Sequence, residues 1–154
     1  MQLRIVEGDL LDQNVEVIVN AWNRNIIPWW LLIPQGVSGA IKRRAGLEPF
    51  RELARKGAIP LGGAVETCAG KLSFRSIIHV AGISLVWRSS EPAIRRCVRS
   101  ALRLAQTQGY RSLAFPLIGS GTGGVPQDRA LEIMSDEARR NDFSGEVRIV
   151  RYKP

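Results

Sequence analysis

The chain has 154 residues, of which 45% are hydrophobic and 23% are charged, a balance typical of one globular domain and not of a disordered chain. No apolar stretch approaches the roughly 20 residues that a membrane-spanning helix needs, and the first residues lack a secretory signal, so we expect a cytoplasmic protein with no membrane partner. The net charge of +8 favours anionic partners, either nucleic acid or a phosphate-bearing ligand, without distinguishing between them.

Residues suited to metal binding or covalent catalysis are scarce. The two cysteines, Cys68 and Cys97, fit no metal-ligand spacing, and we interpret both as reduced, buried thiols. The single histidine, His79, lies within the apolar run 77–81 and is interpreted as a structural strand residue. The sequence therefore predicts no metal site, and we expect no cofactor.

The first half of the chain begins with two predicted strands. The first is predicted at residues 3–6, ended by Gly8 and Asp9, and the second at residues 15–19, where β-branched residues are dense. An irregular segment at 22–35 follows, with two prolines and three tryptophans. Short helices are then predicted at 37–45 and 49–56.

The second half alternates more regularly. In chain order we predict strands at 64–68 and 76–81, a helix at 91–108, a strand at 112–116, a glycine-rich loop at 119–124, a helix at 127–141 and a strand at 146–152. This order favours an α/β fold with a mixed, mostly parallel sheet. Because no repeat, linker or low-complexity tract interrupts it, residues 1–154 are interpreted as a single domain.

The glycine-rich loop is the strongest local motif. A strand, a glycine loop and a helix in succession hold phosphate, because glycines let backbone N–H groups approach an anion and the helix N-terminus adds partial positive charge. Ser120 and Thr122 add hydroxyl donors to this loop. The loop matches neither the Walker A pattern nor the dinucleotide fingerprint, and the alternative is a mobile surface turn.

Polar residues follow the first two predicted strands, where ligands of α/β sheets commonly bind. Asn20 and Asn23 offer donors and acceptors that suit ribose hydroxyls, and a turn-forming role is equally open. Asp9 either caps the next turn or accepts a hydrogen bond from an exocyclic amine such as adenine N6.

Five motifs in succession resemble the macrodomain family. They are Gly8-Asp9-Leu10 and the segments 17–23, 36–41, 78–82 and 114–124, and the resemblance extends from residue 2 to residue 152. It implies a three-layer α/β/α fold with a central mixed, mostly parallel sheet. It also implies a cleft for ADP-ribose across the top of that sheet.

The resemblance assigns a role to each part of this cleft. Asp9 recognises the adenine amine, and Tyr152 stacks on the adenine ring, although a solvent-facing Tyr152 is equally open. Gly36 and the loop 119–124 bind the pyrophosphate through main-chain N–H groups, and Asn23 holds the distal ribose. The implied ligand-binding residues are Asp9, Leu10, Asn20, Asn23, Gln35, Gly36, Val37, Ser38, Gly119, Ser120, Gly121, Thr122, Gly123 and Tyr152.

The chain departs from the hydrolytic members of this family in its first loop. Only Gly36 is left of several glycines, so the Gln35 side chain is a candidate replacement for a lost phosphate contact. Ser38 stands where the family has a catalytic aspartate, and Lys42 where it often has a histidine. Serine cannot act as a carboxylate base, so that route of proton transfer is absent. Some hydrolytic relatives also lack the aspartate, and the resemblance to them implies that a water held between the α-phosphate and the loops attacks the anomeric carbon.

The resulting hypothesis is a metal-free hydrolase that removes ADP-ribose from ADP-ribosylated proteins. Its candidate catalytic residues are Asn23, which orients the ribose, Ser38 at the family's aspartate position, and Gly121, whose loop dipoles stabilise developing charge. The alternative, favoured by Ser38 and Lys42, is a non-catalytic reader of ADP-ribose. A nucleic-acid-binding module ranks third, because no motif supports it.

Two further segments have open interpretations. The apolar segment 26–32, with Trp29 and Trp30, is a wall over the distal ribose, a dimer contact or, as we favour, core packing with partial exposure to the cleft. The basic stretch 42–44 and the arginines Arg95, Arg96, Arg99 and Arg103 are interpreted as solvated helix faces. The alternatives are that they attract an acidic substrate protein or nucleic acid, and that Lys42 has an electrostatic or nucleophilic role.

Overall fold

A computed structural model describes residues 1–22, 36–82, 89–121 and 123–153 of the chain. The strands within these ranges are β1 (Gln2–Gly8), β2 (Val17–Trp22), β3 (Ala64–Thr67), β4 (Ser76–Ala81), β5 (Ser112–Pro116) and β6 (Glu146–Tyr152). The helices are α1 (Gly36–Ala45), α2 (Glu48–Arg55), α3 (Glu91–Thr107) and α4 (Gln127–Arg139), with a 3₁₀ turn at Leu10–Asp12. The segment with Trp29 and Trp30 lies outside the described residues.

The strands form one sheet in the order β1-β6-β5-β2-β4-β3. Every neighbouring pair is parallel except β3 with β4, which is antiparallel. The predicted mixed, mostly parallel sheet is therefore confirmed. As a result, the carboxyl ends of β1, β6, β5, β2 and β4 share one edge, where the loops that follow them meet.

The sheet is covered on both faces, as a three-layer α/β/α fold requires. Side chains alternate along β2, so that Val17 and Val19 pack into the core under α3 and α4, while Ile18 packs into the core under α1 and α2. Phe50 of α2 and Phe115 of β5 are fully buried in opposite cores. None of the described helices is long and apolar enough to span a bilayer.

The predicted elements are all present, with one error that matters for the site. The second strand was predicted at residues 15–19, but β2 runs from Val17 to Trp22, because it pairs residue by residue with the whole of β4. Asn20 therefore lies inside β2 and does not follow it. The other boundaries differ by three residues or fewer, and Ser90 caps α3 by accepting a hydrogen bond from the amide of Ala93.

The two cysteines differ in their surroundings. Cys97 of α3 is fully buried, and burial raises the pKa of its thiol to about 12, in agreement with an inert core residue. The prediction that Cys68 is buried is wrong. Cys68 is only half-buried, because it follows β3 where the chain leaves the sheet and its amide donates to Glu52 Oε1 at 2.8 Å.

Candidate functional site

Three groups of residues lie in succession along the carboxyl edge of the sheet. Asp9 and Tyr152 lie at the ends of β1 and β6, the glycine-rich loop follows β5, and Ser38 lies in the first turn of α1 beside β2. Strands in a sheet are about 4.8 Å apart, so β1 and β2 are separated by roughly 14 Å. The edge is thus long enough for an extended ligand to contact all three groups.

The first group combines an exposed aromatic ring with a carboxylate. Gly8 pairs in register with Tyr152, whose side chain is 68% exposed, so Tyr152 and Asp9 are neighbours. Asp9 Oδ1 accepts a hydrogen bond from the amide of Leu11 at 2.9 Å, which confirms the predicted capping role. Its other oxygen lies 3.9 Å from Arg44 and has lone pairs to spare for a ligand. The Leu10 side chain is buried in the core, so Leu10 can offer only its main chain.

The second group is the loop between β5 and α4, which folds tightly on itself. The amide of Val125 donates to Gly119 O at 2.9 Å and closes the loop. A Cβ at Gly123 would lie 2.6 Å from Gly119 O, and one at Gly119 would lie 2.7 Å from Ser89 Oγ. Gly119 also has a φ of 80°, which favours glycine. These two glycines are therefore needed for the loop to close.

The main chain of this loop provides unused donors. The amides of Gly119, Gly121 and Gly123 make no hydrogen bond to the described part of the chain. They precede the N-terminus of α4, whose partial positive charge adds to the field. The expected hydroxyl donor Ser120 instead donates to Leu117 O at 3.3 Å, and Thr122 lies outside the described residues. Amides, and not side chains, make this loop a candidate anion site.

The third group lies at the start of α1. Gly36 and Val37 open the helix, and the first amides of any helix lack intrahelical partners. Ser38 is half-buried, and its hydroxyl donates to Asn20 Oδ1 at 2.9 Å. Asn23 and Gln35, two of the expected ligand-binding residues, lie outside the described part of the chain.

Asn20 was expected at the ligand but belongs to the interior. It is fully buried, its Oδ1 accepts from Ser38, and its Nδ2 lies 3.1 Å from His79 Nδ1. Its amide atoms are therefore already paired within the protein. His79 is also fully buried, its Nε2 lies 2.8 Å from Thr67 Oγ1, and burial lowers its pKa to about 3. The prediction that His79 is structural is confirmed.

Lys42 differs from the solvated cation that the sequence predicted. Its Nζ lies 5.2 Å from the centre of the Trp22 ring and 5.0 Å from that of Phe50, distances typical of cation–π contacts. The side chain is only partly exposed, and burial lowers its pKa. Trp22 is the last residue of β2, so its contact with Lys42 holds the lysine close to the carboxyl end of that strand.

The fold and the site together define an α/β/α domain with a candidate anion site at the carboxyl edge of its sheet. Residues 19–134 match the model of the Macro domain family. The chain is 37% identical over 163 residues to an O-acetyl-ADP-ribose deacetylase of Escherichia fergusonii, covering 98% of this chain and 88% of that protein. Because the family model matches more than half of it, the chain belongs to the macrodomain family.

Solved structures support the same assignment. The Oceanobacillus iheyensis macrodomain with ADP superposes with a TM-score of 0.81 at 31% identity, covering 98% of this chain and 83% of that one. A Trypanosoma brucei macrodomain in complex with ADP-ribose has a TM-score of 0.82 at 28% identity, covering 97% of this chain and 63% of that one. The fold predicted from the resemblance is thereby confirmed.

Proposed function

We propose that this macrodomain binds ADP-ribose and hydrolyses the ester bond that joins ADP-ribose to an acidic side chain of a modified protein. The observation that carries the proposal is the order of groups along the sheet edge. An exposed tyrosine beside a carboxylate, then a loop with unused amides, then a helix N-terminus with a hydroxyl, match a nucleoside, a diphosphate and a second sugar.

The diphosphate is bound by the main chain. Amides of Gly119, Gly121 and Gly123 donate to its oxygens from one side, and the first amides of α1 at Gly36 and Val37 donate from the other. The helix dipoles of α1 and α4 and the net charge of +8 favour the anion further. Solved relatives with ADP and with ADP-ribose support a diphosphate as the shared ligand group.

The adenine is bound at the ends of β1 and β6. Asp9 accepts a hydrogen bond from the exocyclic amine with the oxygen that does not cap the 3₁₀ turn. Tyr152 stacks on the base, a contact worth ~1–3 kcal/mol where bases meet aromatic rings. Its large exposed fraction supports this role, because a buried ring would have no face to offer.

Catalysis follows a water-mediated route. Asn23 orients the terminal ribose, and a water held between the α-phosphate and the loops attacks the anomeric carbon. The bond from that carbon to the carboxylate oxygen breaks, the water oxygen becomes the new hydroxyl, and its proton is released to solvent. The dipoles of the loop around Gly121 stabilise the negative charge that develops on the departing carboxylate. Relatives named O-acetyl-ADP-ribose deacetylase support hydrolysis of an ester of this nucleotide.

The activity is tested with a protein mono-ADP-ribosylated on glutamate and, in parallel, with O-acetyl-ADP-ribose. We expect the native chain to release ADP-ribose from both, with water attacking the anomeric carbon of the modified protein and the acetyl carbonyl of O-acetyl-ADP-ribose, from which acetate leaves. Release is measured by chromatography, and Asn23→Ala should lose most of this activity. Ser38 in place of a carboxylate favours a second function, that of a reader. Tight binding of ADP-ribose by the native chain with no release above Asn23→Ala would support the reader and contradict the hydrolase.

A further inference from the structure

A row of buried hydrogen bonds leads away from Ser38 into the interior. It passes from Ser38 to Asn20 at 2.9 Å, from Asn20 to His79 at 3.1 Å, from His79 to Thr67 at 2.8 Å, and from Thr67 to Cys68 O at 3.0 Å. We call these four side chains, Ser38, Asn20, His79 and Thr67, the buried hydrogen-bond chain. Asn20 and His79 are fully buried and Thr67 is 2% exposed, so water does not supply alternative partners.

The chemistry of its members fixes which group donates and which accepts at each step of the buried hydrogen-bond chain. Cys68 O can only accept, so the Thr67 hydroxyl donates to it and accepts from His79 Nε2–H. His79 is neutral, so its Nδ1 then carries no proton and accepts from Asn20 Nδ2. Asn20 therefore turns its oxygen toward Ser38. At every step one donor meets one acceptor, as burial requires.

The consequence falls on Ser38, the only member in partial contact with solvent. Its proton is committed to Asn20 Oδ1, so its remaining lone pairs are all that it can present to a ligand. A hydroxyl that is free to rotate would donate or accept as the ligand demands. The buried hydrogen-bond chain removes that freedom and makes Ser38 an acceptor only.

We propose that Thr67, His79 and Asn20 are positioning residues that fix Ser38 as a hydrogen-bond acceptor for a hydroxyl of the terminal ribose. The proposal rests on the proposed function, because it takes ADP-ribose as the ligand. Thr67 is the member of the buried hydrogen-bond chain farthest from Ser38. It pairs in register with Ile77, near the start of β4 and away from the edge where the ligand binds.

The test uses Thr67→Val, which keeps the shape of the side chain and removes its hydroxyl. The His79 Nε2–H then has no acceptor, so the proton moves to Nδ1, Asn20 turns to meet it, and Ser38 receives a donor in place of an acceptor. Thr67→Ser keeps the hydroxyl and is the matched control. Ile78→Val, a buried change on the other face of β4, controls for lost stability.

Affinities for ADP-ribose and ADP are measured by calorimetry, because only the first ligand has the terminal ribose. We expect Thr67→Val to lower the affinity for ADP-ribose about fivefold, an effect typical of the loss of one hydrogen bond, and to leave the affinity for ADP unchanged. Thr67→Ser and Ile78→Val should bind both ligands as the native chain does. In a Ser38→Ala background, Thr67→Val should have no further effect, since its action requires the Ser38 hydroxyl.

The tautomer of His79 provides a readout that needs no ligand and no variant. Nitrogen NMR of the native chain should find the proton on Nε2, and finding it on Nδ1 would overturn the inference. It would equally be overturned if Thr67→Val weakened ADP and ADP-ribose alike, or if its effect persisted without the Ser38 hydroxyl. Failure of the native chain to bind ADP-ribose would instead contradict the proposed function.

Discussion

His79 is the residue whose surroundings have the clearest consequence for stability. Its pKa is lowered from 6.5 to about 3 by burial, so the folded protein holds it neutral across the physiological range. The unfolded chain binds a proton near pH 6.5 and the folded chain does not. The stabilisation is therefore complete above pH 6.5 and is lost as the pH falls toward 3.

This linkage predicts that the free energy of unfolding depends measurably on pH. Because His79 is the single histidine, it dominates the change between pH 7.5 and 5, where most carboxylates stay ionised. We expect the free energy of unfolding in urea to fall by about 2 kcal/mol over this interval. His79→Gln should be less stable at pH 7.5 but nearly independent of pH. Equal slopes for the two proteins would contradict a neutral buried His79.

At the scale of elements, the loop between β5 and α4 contains one glycine that packing requires and one that packing does not require. Gly123 is required by packing, because its Cβ would lie 2.6 Å from Gly119 O. Gly121 has no described atom within 4 Å of its Cβ position and no positive φ. A glycine that the fold does not require is expected where a ligand comes close to the backbone.

The two glycines therefore predict opposite outcomes on substitution to alanine. Gly121→Ala should keep the native Tm and weaken ADP-ribose about tenfold, a cost of about 1.4 kcal/mol from crowding at the diphosphate. Gly123→Ala should lower the Tm, because the loop must open to admit the methyl group. Melting curves and calorimetry on both variants test this. Native affinity in Gly121→Ala would remove Gly121 from the site.

Most elements could be predicted because their patterns are local. Hydrophobic spacing predicts α3, and the glycines within residues 119–124 predict a loop between β5 and α4, both of which the structure contains. The end of β2 could not be predicted, since it is set by pairing with β4, more than fifty residues away. The same non-local pairing buries Asn20 against His79, and the packing of α1 on α2 brings Lys42 over Phe50.

At the scale of the whole molecule, the charge of +8 bears on the choice between nucleotide and nucleic acid. Ion pairs such as those of Arg95 with Glu91 and Asp136 neutralise these groups locally, but the net charge already counts both partners and stays at +8. The candidate anion site among the described residues is built from a few main-chain amides, and such a site suits one diphosphate better than an extended polyanion.

This distinction predicts how affinity depends on salt. Raising the salt concentration from ~50 to ~200 mM should lower the affinity for a single-stranded RNA by orders of magnitude, because binding RNA releases counterions. The affinity for ADP-ribose should fall far less. Competition of ADP-ribose against a fluorescent RNA, followed by anisotropy, measures both. An RNA that bound more tightly than ADP-ribose at ~200 mM salt would favour the nucleic-acid function.

The central claim is that main-chain amides of two turns hold a diphosphate between an adenine site and a sugar site. Calorimetric titration of the native chain with ADP-ribose, ADP and adenosine tests it most directly. We predict the tightest binding for ADP-ribose, weaker binding for ADP, and the weakest for adenosine, which lacks both phosphates. No heat with ADP-ribose, or equal affinities for ADP-ribose and adenosine, would contradict the claim.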